Sequence, residues 1–331
     1  MTNTLVSKQT KIELHCHLDG SLSTKFIRKF APESMNIDNL SDEQLKELIV
    51  APKNCHSLAE YLTRFNLPIA CLQSYEAIEE AVLDVIKQAY SENVKYIEIR
   101  FAPTFSKNEG LSYRRILEAA VSGSKKGKEK YSVASNIIVC AMRHLSPETN
   151  LEMLREAREL LGNGVCALDL AGDEAAFSND NFTYLFEAAN KLAMPMTIHS
   201  GECGNKTNIS IAIEAGARRI GHGIAMKNDK ALMDLCKEKM IGIELCPTSN
   251  FQTKAVSEKK NYPLRDFIDN GICATLNTDN RSVSDTTVNN EILFSLDALK
   301  LREGEIYNIM ENAIHVSFAD IDTKNELLKI I

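Results

Sequence analysis

A closed (β/α)₈ barrel, an α/β fold, is what this chain of 331 residues predicts, and three observations carry the expectation. Short apolar runs alternate with longer segments of helical period, eight times over. The runs are apolar almost throughout, as in Ile241-Gly242-Ile243-Glu244-Leu245, which suits strands covered by helices outside. Polar residues with chemical use fall at or just past the carboxyl ends of the runs, and in a barrel those ends converge on one mouth. A doubly wound open sheet is the alternative; the placement of the polar residues decides for the barrel.

The expected strands are 11–14, 94–101, 133–141, 165–170, 195–199, 218–221, 240–245 and 272–278. Between them, 76–91, 111–129, 147–160, 180–192, 207–215, 227–238 and 287–300 carry apolar residues three and four apart, as helices with one buried face do. The stretch 22–74 is too long for a simple crossover and predicts a helical insertion between the first two strands. Within it Leu58, Tyr61, Leu62 and Phe65 form one apolar stripe, which either docks its helix on the barrel or makes it a lid over the mouth. No linker, low-complexity tract or repeat divides the chain, so 1–331 is expected to be a single domain.

The net charge of −7 argues against a nucleic-acid-binding protein, which needs a basic stripe. The short basic stretch Lys125 to Lys130 reads as a solvated helix end. The amino terminus shows no secretory segment and no run is long enough to cross a bilayer, so a cytoplasmic protein is expected. Six of the nine cysteines (Cys16, Cys71, Cys140, Cys166, Cys246 and Cys273) sit mostly in apolar runs without a C-x-x-C pair, as small buried hydrophobes of a reducing compartment do. Oligomeric state is not readable.

His15 and His17 close the first strand, and alternation along a strand turns both the same way while Cys16 faces the packing. His199 ends the fifth run, His222 the sixth, and Asp279 follows the eighth. Imidazole and carboxylate suit a cation such as zinc, with one position left for water. That makes five candidate ligands for about four places, and spacing alone does not say which of the four histidines stands aside. The fourth strand has no lysine to bridge a second ion once modified, so one cation is expected. Gly201 allows a sharp turn that swings Glu202 over the centre, where an apolar enclosure would keep it protonated as an acid. Cys203 lacks any thiolate-activating arrangement. His56 and His144 read as insertion surface and strand end.

Six pieces in order carry a resemblance: Glu13-Leu14-His15-Cys16-His17-Leu18-Asp19-Gly20, Asp169-Leu170-Ala171-Gly172-Asp173-Glu174, His199-Ser200-Gly201-Glu202, Gly221-His222-Gly223, Cys246-Pro247-Thr248-Ser249-Asn250 and Asn277-Thr278-Asp279. Together they resemble the adenosine deaminase family of the amidohydrolase superfamily. The resemblance implies one Zn²⁺ per chain on His15, His17, His199 and Asp279, with Glu202 and His222 catalytic. It further implies substrate contacts from His17, Asp19 (ribose), Gly172 (base edge) and Asn280. The family ends this motif with two aspartates, the second reaching purine N7, whereas position 280 here is Asn, which can donate to N7 without being protonated. The implied reaction converts adenosine, and 2′-deoxyadenosine with it, to inosine or deoxyinosine and ammonia in purine salvage. Water attacks C6, His222 assists as base and Glu202 protonates N1. Adenine deaminase or another aminohydrolase of the superfamily is the alternative, disfavoured because the adenine group tends to carry Glu where Asp19 stands. A non-catalytic nucleoside-binding barrel is the third reading.

Overall fold

The computed structural model describes residues 3–52, 55 and 58–331. Its strands are β1 (Lys11–His17), β2 (Val94–Phe101), β3 (Ala134–Met142), β4 (Val165–Ala171), β5 (Thr197–Ser200), β6 (Arg219–His222), β7 (Gly242–Leu245) and β8 (Cys273–Leu276). They form two parallel four-stranded sheets, β1 to β4 and β5 to β8, each in sequence order. Two seams join the sheets. Leu168 pairs with Met196 between β4 and β5, and Cys16 pairs with Asp279, with His17 N–H donating to Asp279 O at 2.7 Å. The ring is thereby closed.

Helices follow each strand on the outside, and their ends obey side-chain caps. Ser112, Ser146, Asp229 and Thr287 each accept a hydrogen bond from a first-turn N–H, opening helices Tyr113–Tyr131, Pro147–Arg158, Lys230–Glu238 and Val288–Ala298. The expected 180–192 helix is a 3₁₀ turn, Asn179–Phe182, followed by the α-helix Thr183–Lys191. Between β1 and β2 lie the helices Thr24–Phe30, Asp42–Ile49, Leu58–Leu62 and Asn66–Cys71, then Tyr75–Ser91. Glu303–Val316 and Ile321–Leu328 lie beyond the eight expected units. They supply Ala313, Ile314, Val316 and Leu327 to an apolar cluster with Ile12, Leu14 and Tyr96.

Several strand ends depart from expectation: β7 begins at Gly242 and not at 240, β8 ends at Leu276 and not at 278, and two others bear on the site. β1 continues through both histidines to His17, and its pairing with β2 slips between Glu13 and Cys16, a bulge of the kind that re-aims side chains. β5 begins only at Thr197. Inside the barrel the strands carry wholly buried charges. Arg219 pairs with Glu98 and Glu244 at 2.5 Å each, while Arg100 pairs with Glu244 at 2.8 Å and Asp169 at 2.9 Å. Charged groups are tolerated there because each meets a partner of opposite sign.

Candidate active site

At the carboxyl mouth β1 delivers His15 and His17, β5 delivers His199, and the turn after β8 delivers Asp279. One ligand atom from each lies within 4.8 Å of the others. His17 Nε2 stands 3.3 Å from His199 Nε2, and Asp279 Oδ1 stands 3.2 Å from His15 Nε2 and 3.4 Å from His17 Nε2.

The opposite edges of the rings explain why these nitrogens converge. His15 Nδ1 lies 2.8 Å from Glu244 Oε2, and His199 Nδ1 lies 2.9 Å from Asp169 Oδ2. A carboxylate only accepts, so each Nδ1 carries a proton, which leaves each Nε2 free to offer a lone pair to a cation. His15 Nε2 is buried without a hydrogen-bond partner. Buried lone pairs aimed at one another repel unless a cation lies among them, and three imidazoles with one carboxylate are a donor set that divalent zinc-like ions accept. The residues therefore fit a metal ion. Burial alone would raise the Asp279 carboxyl, but the neighbouring histidines, His15 first among them, hold it well below the carboxylate range. Ser249 Oγ donates to its second oxygen at 2.6 Å.

His222 lies outside that group of four, yet its ring centre is 4.9 Å from that of His15 and 5.1 Å from that of His199. Burial pushes its pKa well below the usual 6.5, so it is a neutral imidazole. Asn250 bonds its Nδ1 at 3.0 Å. His222 and Asp279 both sit in the left-handed region, at φ 64° and 61°, a conformation that costs energy for residues with a side chain and is held here by the surroundings.

Glu202 Oε2 is 3.6 Å from His222 Nε2, and Thr253 Oγ1 donates to Oε1 at 3.2 Å. Burial, then the charges of Asp279 and Glu174, push its carboxyl up to about 8. The turn that presents it is made by Gly201 at φ 73°, and Glu174 accepts the N–H groups of Gly201, Glu202 and Cys203 at 2.6, 2.9 and 3.2 Å. Cys203 itself is exposed.

These groups share one cavity of about 290 Å³, which Asp19, Gly172 and Asn280 also line. Burial pushes the Asp19 carboxyl up to about 7, and its Oδ1 has no hydrogen-bond partner. Gly172 takes φ 105°, which a side chain would strain. Tyr61, Leu62 and Phe65 line the cavity too, so the stripe faces the mouth; the Leu58 side chain and His56 lie outside the described residues. His144 is not merely a strand end: it lines the cavity rim, stacked on Phe105 at 5.9 Å.

Sequence reasoning assigned no role to Glu244, Asp169, Arg100, Ser249, Asn250 or Glu174, and gave Tyr61 only its place in the apolar stripe. The signal for the first three was present, because a charge inside an otherwise apolar strand must find a buried partner.

Three comparisons bear on this arrangement. A family model described as adenosine deaminase matches residues 10–331. An adenosine deaminase of Enterococcus faecalis is 42% identical over 328 residues, 99% of this chain and 97% of that one. One from Clostridium perfringens is 38% identical over 323 residues, covering 96% of each chain. Among solved structures, an Arabidopsis N6-mAMP deaminase superposes with a TM-score of 0.87 at 26% identity, over 99% of this chain and 98% of its own. The Arabidopsis ADAL complex with IMP gives 0.87 at 25% identity, over 98% and 97%.

Proposed function

The chain belongs to the adenosine deaminase family of hydrolases, and on that footing we propose that it removes the 6-amino group of adenosine and 2′-deoxyadenosine, using one zinc ion held by His15, His17, His199 and Asp279. The observation that carries the reading is the four ligand atoms within 4.8 Å of one another, beside a carboxyl that burial keeps protonated.

The ion's contribution when bound is to make a water acidic enough to supply hydroxide near neutral pH. His222, uncharged through burial, would take a proton from the attacking water at Nε2 as oxygen bonds to purine C6, which requires the Asn250 carboxamide, whose Nδ2 now faces Nδ1 at 3.0 Å, to turn its oxygen there so that Nδ1 carries the ring's own proton. Glu202 gives its own proton to N1, so the ring accepts the new bond without building up negative charge. Return of the His222 proton to the 6-amino group would release ammonia, and the proton left on the new C6 oxygen would pass back to Glu202, leaving inosine with its N1 protonated. Asp19, unpartnered at Oδ1, would receive a ribose hydroxyl. His17 and the Gly172 backbone would border the substrate, and Asn280 would donate to N7.

A nucleoside fits better than a nucleotide. Among the described residues that line the cavity there is no lysine or arginine, whereas Asp173 and Asp279 are there. A 5′-phosphate would meet like charge without a compensating cation among those residues. Residues 22–74 would cover the mouth, since Tyr61, Leu62 and Phe65 line it. The proposal includes a reducing, cytoplasmic setting, supported by free thiols such as Cys16, Cys140 and Cys246 kept buried. No helix among the described residues is long and apolar enough to cross a membrane.

The test is a side-by-side assay of ammonia release from adenosine, 2′-deoxyadenosine, adenine and AMP with metal-analysed protein. Turnover of both nucleosides with one zinc per chain is expected. Faster turnover of adenine or AMP would overturn the substrate reading, and binding without ammonia release would leave only a nucleoside-binding barrel.

A further inference from the structure

Asn280 is buried in the cavity wall, and its carboxamide is gripped from two sides. On one side Gly20 makes room for it: a Cβ on Gly20 would overlap the Asn280 Oδ1 atom. On the other, Asn280 Nδ2 donates to the Tyr61 hydroxyl at 2.9 Å. Tyr61 is itself buried, and its hydroxyl lies 2.7 Å from Ser284 Oγ. The amide nitrogen can only donate, so the tyrosine oxygen accepts from it and has its own proton left for Ser284. Ser284 N–H in turn donates to Asn280 O at 2.8 Å, which closes the loop of contacts on the same residue.

A carboxamide is nearly symmetric in shape, and without such a partner it rotates between presenting N–H and presenting C=O. The Tyr61 hydroxyl removes that freedom: it fixes which end is nitrogen. Asn280 Oδ1 is left buried and without a partner, so the amide is not held by its oxygen.

We propose that Tyr61, on the helix Leu58–Leu62, is a positioning residue for the Asn280 carboxamide and so sets the protein's preference for a purine bearing N7. This rests on the reading above that Asn280 faces N7. One N–H of the amide is spent on Tyr61, the other goes to the N7 lone pair, and no titration is involved. A residue of the cover over the cavity thus takes part in base recognition without touching the base.

The experiment measures inhibition constants for 1-deazaadenosine and 1,7-dideazaadenosine on zinc-loaded protein. Both lack the N1 that must be protonated, so neither is turned over, and they differ only at N7. The parent protein should bind the first about tenfold more tightly, the worth of one good hydrogen bond. Asn280→Leu should abolish that preference; if it persists, the N7 reading of Asn280 fails and this inference with it. Tyr61→Phe should reduce the preference to about two- to threefold while leaving 1,7-dideazaadenosine binding within twofold of the parent. Full preference in Tyr61→Phe, or equal weakening of both inhibitors, would overturn the role of Tyr61 while the Asn280 reading stood. Gly20→Ala, which displaces the carboxamide from its other side, should shrink the same ratio and serves if Tyr61→Phe does not fold.

Discussion

Replacing Glu202 by glutamine should raise stability while it abolishes turnover, and the size of the first effect follows from burial. The carboxyl ordinarily titrates at 4.5 and is pushed up to about 8 in the folded chain, so at pH 7 it is ionised when unfolded and protonated when folded. The sign is that of a raised carboxyl: the folded state is favoured fully below pH 4.5, and that advantage drains away as pH rises to about 8. At about 1.4 kcal/mol per pH unit, the parent protein forgoes about 3 kcal/mol at pH 7 that a neutral glutamine does not. Glutamine keeps an oxygen to accept from Thr253 Oγ1, so little else is lost. The assay is thermal melting of chelator-treated parent and Glu202→Gln at pH 5 and pH 7.5, since a bound dication would itself draw the carboxyl back towards ionisation. At pH 7.5 the difference is about 4 kcal/mol, and at about 2–4 °C per kcal/mol the variant should melt roughly 8–16 °C higher, with the gap nearly closed at pH 5. Turnover of the zinc-loaded variant should fall by about 10²–10⁴, as the loss of a general acid implies. A variant no more stable than its parent at pH 7.5 would show that the carboxyl is ionised in the folded chain, and the acid role would fall with it.

Glu244→Gln should lower cation affinity by about 10–100-fold, because the carboxylate that orients His15 is gone; competition against a fluorescent chelator measures this, and unchanged affinity would free His15 from Glu244. The same change leaves Arg100 and Arg219 short of a partner and should cost about 3–5 kcal/mol in urea unfolding. Asp19→Ala should slow adenosine by about tenfold more than adenine in kcat/KM, one ribose hydrogen bond being at stake; equal losses would move Asp19 away from the sugar. Chelation should abolish turnover, restored by added zinc, and remove about 3 kcal/mol of stability relative to protein at a hundredfold excess of zinc over its dissociation constant.

The eight strands were readable because parallel strands are covered on both faces and show as apolar runs. Where a run met polar residues, the reading stopped too soon. β1 was expected to end at 14, yet it continues through His15 and His17, since a barrel's interior accepts polar side chains that have partners. The helices Glu303–Val316 and Ile321–Leu328 escaped because eight units already completed the ring, although Ile306, Ile309, Met310, Ala313 and Ile314 follow helical spacing. The residues around the metal candidates were harder. Glu244 in its strand is one charge among Ile243 and Leu245, and its partners His15 and Arg100 lie 229 and 144 positions away. Only the closed ring brings them together. Tyr61 showed as part of a stripe, but nothing in its spacing reveals that its hydroxyl ends on Asn280.

The buried charges along the barrel axis account for more than the orientation of two rings. Glu98, Arg219, Glu244, Arg100 and Asp169 form an unbroken chain of ion pairs, and it reaches the site through Glu244 at His15 and Asp169 at His199. Buried pairs contribute little net stability against well-packed apolar residues, so stability alone does not explain them. Their charge does. With Asp279 included, four carboxylates face two guanidinium groups around imidazoles, of which His17 and His222 are kept neutral by burial. Arginine, lost from water by burial but flanked by Glu244 and Asp169, is held firmly in its charged form at Arg100. Burial and Arg100 would lower the His15 pKa, but Asp279 and Glu244 raise it above 6.5, so without an ion a proton on that ring offsets part of the carboxylate charge, and a bound cation would take that proton's place.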